Sequence, residues 1–149
     1  MADTYICFPI DFATPEYDET VRLRYDILRR PLDLHFNPED LATEFDSIHI
    51  ACYHSGTMLL AGCLTLKPLE SGDIKMRQVA VSVALQNQGI GSLMVNYAEN
   101  VAIQSGFTRM VLHARISAVT FYDKMGYSVS GKTFKEVGID HKFMYRKLV

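Results

Sequence analysis

The chain predicts a mixed α/β (α+β) fold: a mostly antiparallel sheet of about seven strands flanked by about four helices. Three observations carry that expectation. The apolar runs from Ser47 to Val83 are joined only by Ser55-Gly56 and Ser71-Gly72-Asp73, connections short enough to demand an antiparallel meander. Ile90, Leu93, Met94, Tyr97 and Val101 then recur at helical spacing, so one helix face should pack on that sheet. Finally, 149 residues with 48% hydrophobic content and no internal repeat or low-complexity linker suit one domain over 1–149 with a substantial core.

The elements follow in order. Tyr5 to Ile10 is a first strand. Thr14-Pro15-Glu16 supplies a helix cap, a first-turn proline and an early acid, so the segment to Arg30 should be helical until Pro31 stops it. Asn37-Pro38 starts a short second helix through Leu41, and Ser47 to Tyr53 returns to a strand. The Ser55-Gly56 turn leads into Thr57 to Lys67, and Ile74 to Val83 is the fourth strand. After the long helix, ended by Ser105-Gly106, come a fifth strand over Arg109 to Ala114 and a helix from Ala118 to Met125 stopped by Gly126. Tyr127 to Gly131 and Lys142 to Leu148 are the last strands.

Composition excludes several functions. A net charge of −2 and a pI of about 6.2 create no global basic field, so neither nucleic acid nor an anionic membrane is an expected partner. Cys7, Cys52 and Cys63 form no CxxC pair and lie in apolar runs, which fits reduced thiols without a disulfide or metal role. Met1-Ala2-Asp3-Thr4 shows no basic leader, and no run approaches the length of a membrane span. A soluble cytoplasmic protein is expected, with homodimerisation left open.

Chemistry begins at Gln86-Asn87-Gln88-Gly89-Ile90-Gly91, between a strand and a helix. Closely spaced glycines opening a helix leave backbone N–H groups unpaired at its positive end, where they can hold phosphate. A triphosphate P-loop would need Gly-Lys-Ser/Thr, but Ser92 and Leu93 follow Gly91; a dinucleotide fingerprint would need glycine at Met94. The remaining Gln-x-x-Gly-x-Gly resembles the pyrophosphate loop of the GNAT N-acetyltransferases, which binds coenzyme A. Downstream, Ala118-Val119-Thr120-Phe121-Tyr122-Asp123-Lys124-Met125-Gly126-Tyr127 resembles a second segment of that family at the usual distance. Two motifs in the right order carry far more weight than one.

The resemblance implies a sheet that splays open between its fourth and fifth strands to admit acetyl-CoA. It implies further that Gln86 and the loop from Gln88 through Gly89, Ile90, Gly91 and Ser92 grip the pyrophosphate, while Val79 and Val81 offer backbone pairing to the pantetheine arm. Both valines also read as ordinary core. Tyr122 is the candidate general acid toward the departing thiolate, its phenol having a reference pKa of about 10; an aromatic packed on the sheet is the alternative. His141, in Gly138-Ile139-Asp140-His141, is the candidate base, since a neutral imidazole with a reference pKa near 6.5, roughly, can take a proton from an ammonium. His35, His49, His54 and His113 have no comparable context.

A narrower resemblance, to the glyphosate N-acetyltransferase branch, extends over nearly the whole chain. It rests on Leu23-Arg24-x-x-Ile27-Leu28-Arg29, Asp40-Leu41, Arg77, Ala114-Arg115-x-Ser117-Ala118, Phe121-Tyr122-x-Lys124-x-Gly126 and His141-x-x-Met144-Tyr145. It implies that Arg29, Arg77 and Arg115 bind the anionic groups of a small amino-acid-like substrate and that His141 is the base. Guanidinium forks suit carboxylate and phosphonate, although a single arginine is more often a solvated charge. The chain departs from the branch at Arg29-Arg30-Pro31 and Gly138-Ile139-Asp140, and Glu-x-Gly-Ile-x-His endings also occur in other small acetyltransferases. Glu44 and Asp46 are reserve bases, better suited to solvated or capping roles.

The expectation is therefore an acetyl-CoA-dependent N-acetyltransferase, direct-attack because no cysteine lies in either motif, using no metal and acting on a small, anionic amine. An acyl-CoA-binding sensor that no longer turns over, and a protein N-acetyltransferase with an acidic peptide groove, are the alternatives.

Overall fold

Residues 4–149 are described by a computed structural model; Met1–Asp3, where the sequence shows no basic leader, lie outside the described residues. Among the described residues seven strands form one sheet: β1 (Tyr5–Ile10), β2 (Ile48–His54), β3 (Leu60–Pro68), β4 (Asp73–Val81), β5 (Arg109–Arg115), β6 (Ser128–Glu136) and β7 (Ile139–Lys147), in the order β1-β2-β3-β4-β5-β7-β6. Four α-helices accompany them: α1 (Pro15–Arg24), α2 (Pro38–Ala42), α3 (Ile90–Gln104) and α4 (Val119–Lys124). The expected mixed α/β fold with an antiparallel meander is what forms, and β4–β5 is the parallel pair.

That pair creates the opening. β4 and β5 are in register only from Asp73↔Arg109 to Met76↔Leu112; beyond Met76 and Leu112 they part. The cause lies in β4. Against β3, Thr65 faces Arg77 while Cys63 faces Ala80, so β4 carries one extra residue, and Gln78 adopts φ +56. A bulge bends its strand and ends pairing locally.

α3 seals one face of the sheet, with Ile90, Met94, Val95, Ala98 and Ala102 buried against Ile50, Leu64, Leu66, Met76 and Leu112. Its contacts include the first three strands as well as β4, which clamps the helix N-terminus beside the gap.

Four boundaries differ from expectation by more than one residue. β3 begins at Leu60 rather than Thr57, because Thr57 belongs to the turn and Met58 stands at φ +55. The first helix does not run regularly to Arg30: α1 ends at Arg24, a π turn covers Tyr25–Arg29, and a 3₁₀ turn containing Pro31 leads to Asp33 at φ +55. Pro31 has no N–H to continue the helical ladder, and the wider turn re-aims Leu28 and Arg29 away from the stripe that α1 alone would present. β4 stops at Val81, and Val83–Leu85 form a 3₁₀ turn. The last hairpin is longer than predicted, because Gly131 marks a bulge between Ser130 and Phe134 where the sequence suggested a strand end, while the reversal itself is the two-residue turn Val137-Gly138, both at positive φ. His141 consequently lies inside β7, opposite Arg115.

Candidate active site

The cofactor side is built where β4 ends and α3 begins. Ser82 N–H donates to Ala61 C=O at 2.9 Å and Ala80 faces Cys63; by the alternation of an antiparallel ladder, Val79 and Val81 turn their backbone groups to the other edge, toward the gap. Gln86 Nε2 reaches back to Val81 O at 3.1 Å, and Gln88 Nε2 to Ala84 O at 3.3 Å. The two glutamine side chains thus brace the loop. Gly89 caps α3 at φ +84, with no side chain closing the helix end and nothing within 4 Å of where its Cβ would stand. Ile90 is buried in the core, so its backbone alone can face a ligand. A Cβ on Gly91 would stand 3.3 Å from the Phe121 ring, which ties the loop to the second motif. An open, uncapped helix end beside an unpaired strand edge fits a pyrophosphate and its extended arm.

Between the parted strands lies a cavity of about 380 Å³ lined by residues of β4, β5, α4 and β7. Tyr122 and His141 both line it, Tyr122 7% and His141 4% exposed. The Tyr122 hydroxyl has no hydrogen-bond partner among the described residues, and burial pushes its pKa up to about 12. His141 Nδ1 donates to Ile139 C=O at 2.8 Å. A carbonyl only accepts, so the neutral ring carries its proton on Nδ1 and presents a lone pair at Nε2, the tautomer a base requires.

Arg29, Arg77 and Arg115 line the same cavity, and none forms an ion pair with a carboxylate among the described residues. Arg115 Nη2 donates to Leu28 C=O at 3.1 Å, a carbonyl released by the irregular end of the first helix. Burial lowers the Arg29 pKa, and the neighbouring charges of Arg24, Arg115 and Arg77 lower it further, against a pull from Asp40. Burial likewise lowers Arg115, with Glu136 opposing. The arginines therefore converge and repel. Arg29 also sits over the Phe36 ring, 4.7 Å from its centroid, and Arg24 lies 4.9 Å from the same centroid.

Arg24 is itself buried, with Nη1 and Nη2 donating to the two Glu44 oxygens at 2.9 and 2.7 Å and Tyr17 OH donating to Glu44 Oε1 at 2.7 Å. Glu44, expected to be solvated or capping, is instead the buried counter-charge beneath this wall. Sequence reasoning also missed Lys75 and His113, which line the cavity, and gave Glu136, the acid of the Glu-x-Gly-Ile-x-His ending, no role there. A signal existed: Lys75 and Arg77, like His113 and Arg115, are separated by one residue, the period of a single strand face. Cys7, Cys52 and Cys63 are all free, and none lines the cavity.

An acetyltransferase (GNAT) family model matches residues 9–127. The chain belongs to the GNAT acetyltransferase family. Among relatives, it is 32% identical over 104 residues to the uncharacterized N-acetyltransferase YjcF of Bacillus subtilis (strain 168), covering 69% of this chain and 72% of that one. A crystal structure from Lactobacillus plantarum superposes with a TM-score of 0.81 over 100% of both chains at 22% identity. A Bacillus subtilis acetyltransferase solved in complex with CoA gives a TM-score of 0.75 at 17% identity, covering 98% of this GNAT chain and 100% of its own. The fold and the acetyltransferase assignment stand on these matches together with the parted strands. No helix among the described residues is long and apolar enough to cross a membrane.

Proposed function

We propose that this GNAT protein is an acetyl-CoA-dependent N-acetyltransferase that acetylates the amine of a small, anionic, amino-acid-like acceptor by direct attack. One observation carries the reading: a proton acceptor at His141 Nε2, a proton donor at Tyr122 OH and the guanidiniums of Arg29, Arg77 and Arg115, none held in an ion pair among the described residues, share one cavity at the strand gap, beside the uncapped start of α3. Bound acetyl-CoA supplies the electrophilic thioester and the thiolate leaving group. The loop from Gln88 to Ser92 holds its pyrophosphate through backbone amides, and the Val79 and Val81 backbone groups align its arm.

His141 Nε2 takes the proton that turns the acceptor's ammonium into a nucleophile, its tautomer held by Ile139 C=O. Tyr122, with its pKa raised to about 12 by burial, stays protonated throughout the working range and directs its O–H at the developing thiolate. A phenol that weak donates first a hydrogen bond; full transfer is helped because the same burial raises the thiolate's own proton affinity. Arg29, Arg77 and Arg115 hold the acceptor's anionic group, which relieves their mutual repulsion.

The decisive experiment is thiol release from acetyl-CoA across matched amines bearing carboxylate, phosphonate, no charge or further positive charge. Anionic amines should give the highest kcat/KM. Equal or better rates with a polyamine would overturn the acceptor class, and no turnover with any amine would overturn the enzyme reading.

A further inference from the structure

Among the described residues Glu136 is the one carboxylate lining the cavity, whose wall also carries Arg29, Lys75, Arg77 and Arg115. Its two oxygens are differently employed. His113 Nδ1 lies 3.0 Å from Oε1 and orients the group from β5, with Lys75 Nζ of β4 a further 3.4 Å from that nitrogen. Oε2 points toward His141 Nε2 at 3.7 Å, a distance beyond a hydrogen bond. The Phe134 ring stacks on His141 and meets His113 edge-on, at 6.0 and 4.9 Å between centroids, so both imidazoles are fixed about the carboxylate. Burial acts to raise the Glu136 carboxyl, but the His113 hydrogen bond and the neighbouring Lys75 charge hold it below the ordinary range. It is an anion at neutral pH.

The His141 tautomer makes this arrangement unusual. Because Nδ1 carries the proton, Nε2 presents a lone pair to a second lone pair on Oε2, with no proton between them. Two acceptors so placed are stabilised by a cation carrying at least two N–H bonds. A nitrogen about 2.9 Å from each atom would subtend an angle of roughly 80°, bending each N–H from the tetrahedral direction by only about 15°, well inside hydrogen-bond tolerance. Elsewhere in the cavity a cation would meet Arg29, Arg77 and Arg115.

We propose that Glu136 Oε2 and His141 Nε2 together form an ammonium seat, in which Glu136 binds the acceptor's primary or secondary amine in its cationic form and turns one N–H toward His141. The inference rests on the reading that the acceptor is an amine. It deepens that reading by assigning the two ends of a zwitterion: the ammonium at the β6–β7 hairpin and the anion on the arginines of β4, β5 and the first helix. Binding delivers the nitrogen already hydrogen-bonded to its base, so the proton passes to Nε2 along an existing bond. Glu136 keeps a second N–H and fixes the direction of the nitrogen's lone pair.

The test is a calorimetric titration of CoA-saturated protein with ω-amino acids from glycine to 4-aminobutyrate, the matching carboxylates from acetate to butyrate, and the matching alkylammoniums. A charge-assisted hydrogen bond predicts that the best amino acid binds about tenfold or more tightly than its carboxylate. Glu136→Gln should abolish that advantage, leave CoA affinity unchanged, and bind the simple carboxylates as well as or better than the wild type, because a repelling charge is gone. A misfolded site would lose all ligands together, so the opposite signs separate the two cases; Glu136→Asp should retain part of the advantage. An ammonium that confers no advantage in the wild type, or one whose advantage survives Glu136→Gln, overturns the seat. Alkylammoniums that match the amino acids and weaken in Glu136→Gln would instead remove the anionic-acceptor reading and leave the seat standing.

Discussion

Replacing Glu44 with Gln tests how the acceptor wall is held up. Arg24 is 1% exposed and Glu44 7%, so the amide leaves a buried guanidinium facing a neutral partner that keeps one acceptor oxygen where two charged ones stood. Breaking one side of a buried pair costs about 3–5 kcal/mol, against a total stability of about 5–15 kcal/mol. At about 2–4 °C per kcal/mol for a chain of this size, the melting temperature should fall by about 6–20 °C. The effect has a pH signature. Burial acts to raise the Glu44 carboxyl, but the hydrogen bonds and charge of Arg24, with the Tyr17 hydroxyl, hold it below the usual carboxylate range. A group whose folded pKa is depressed lends stability that is complete above its unfolded pKa, about 4.3, and is lost as pH falls through the folded value. Urea unfolding from pH 7 down to pH 3 should therefore show the wild-type advantage closing as the carboxyl protonates. A gap below about 1 kcal/mol at pH 7, or one independent of pH, would refute the idea that the Arg24–Glu44 pair supports the site.

Three further outcomes concern the site. Gly91→Val should weaken acetyl-CoA at least about tenfold in calorimetry, because its Cβ would meet the Phe121 ring at 3.3 Å, whereas Gly89→Val acts through strain at φ +84, of order 1–2 kcal/mol; unchanged affinity in a folded variant removes the loop from the mechanism. His141→Ala should slow turnover by removing the proton acceptor, and Tyr122→Phe should slow turnover with little loss of cofactor binding; each effect should be about 10²–10⁴-fold, and less than threefold would make the residue structural. Arg77→Lys or Arg115→Lys should cost affinity for anionic amines although charge is kept, because an ammonium cannot reproduce the two-pronged contact; raising salt should erode the preference for anionic amines, and a salt-independent preference would count against electrostatic selection.

Local sequence determined the parts of this GNAT protein that depend on near neighbours. Thr14 with Pro15 and Asn37 with Pro38 start helices where their capping chemistry predicts, the apolar stripe of α3 meets the sheet, and the glycines at 89 and 91 make the uncapped helix start. The two motif segments sufficed to name the family because each couples backbone geometry to residue type within a few positions. Tertiary structure decided the rest. The bulge at Gln78 has no sequence mark, since it arises from one extra residue opposite β3, and it is the bulge that parts β4 from β5 and makes the cavity. The π turn that delivers Arg29 and Leu28 to that cavity likewise emerges only when Pro31, Phe36 and Arg115 pack against it. Glu44 shows the same limit: it reads as solvated or capping in the sequence, and only the fold could bury it beneath Arg24, because the energy of a charge is set by partners far away along the chain.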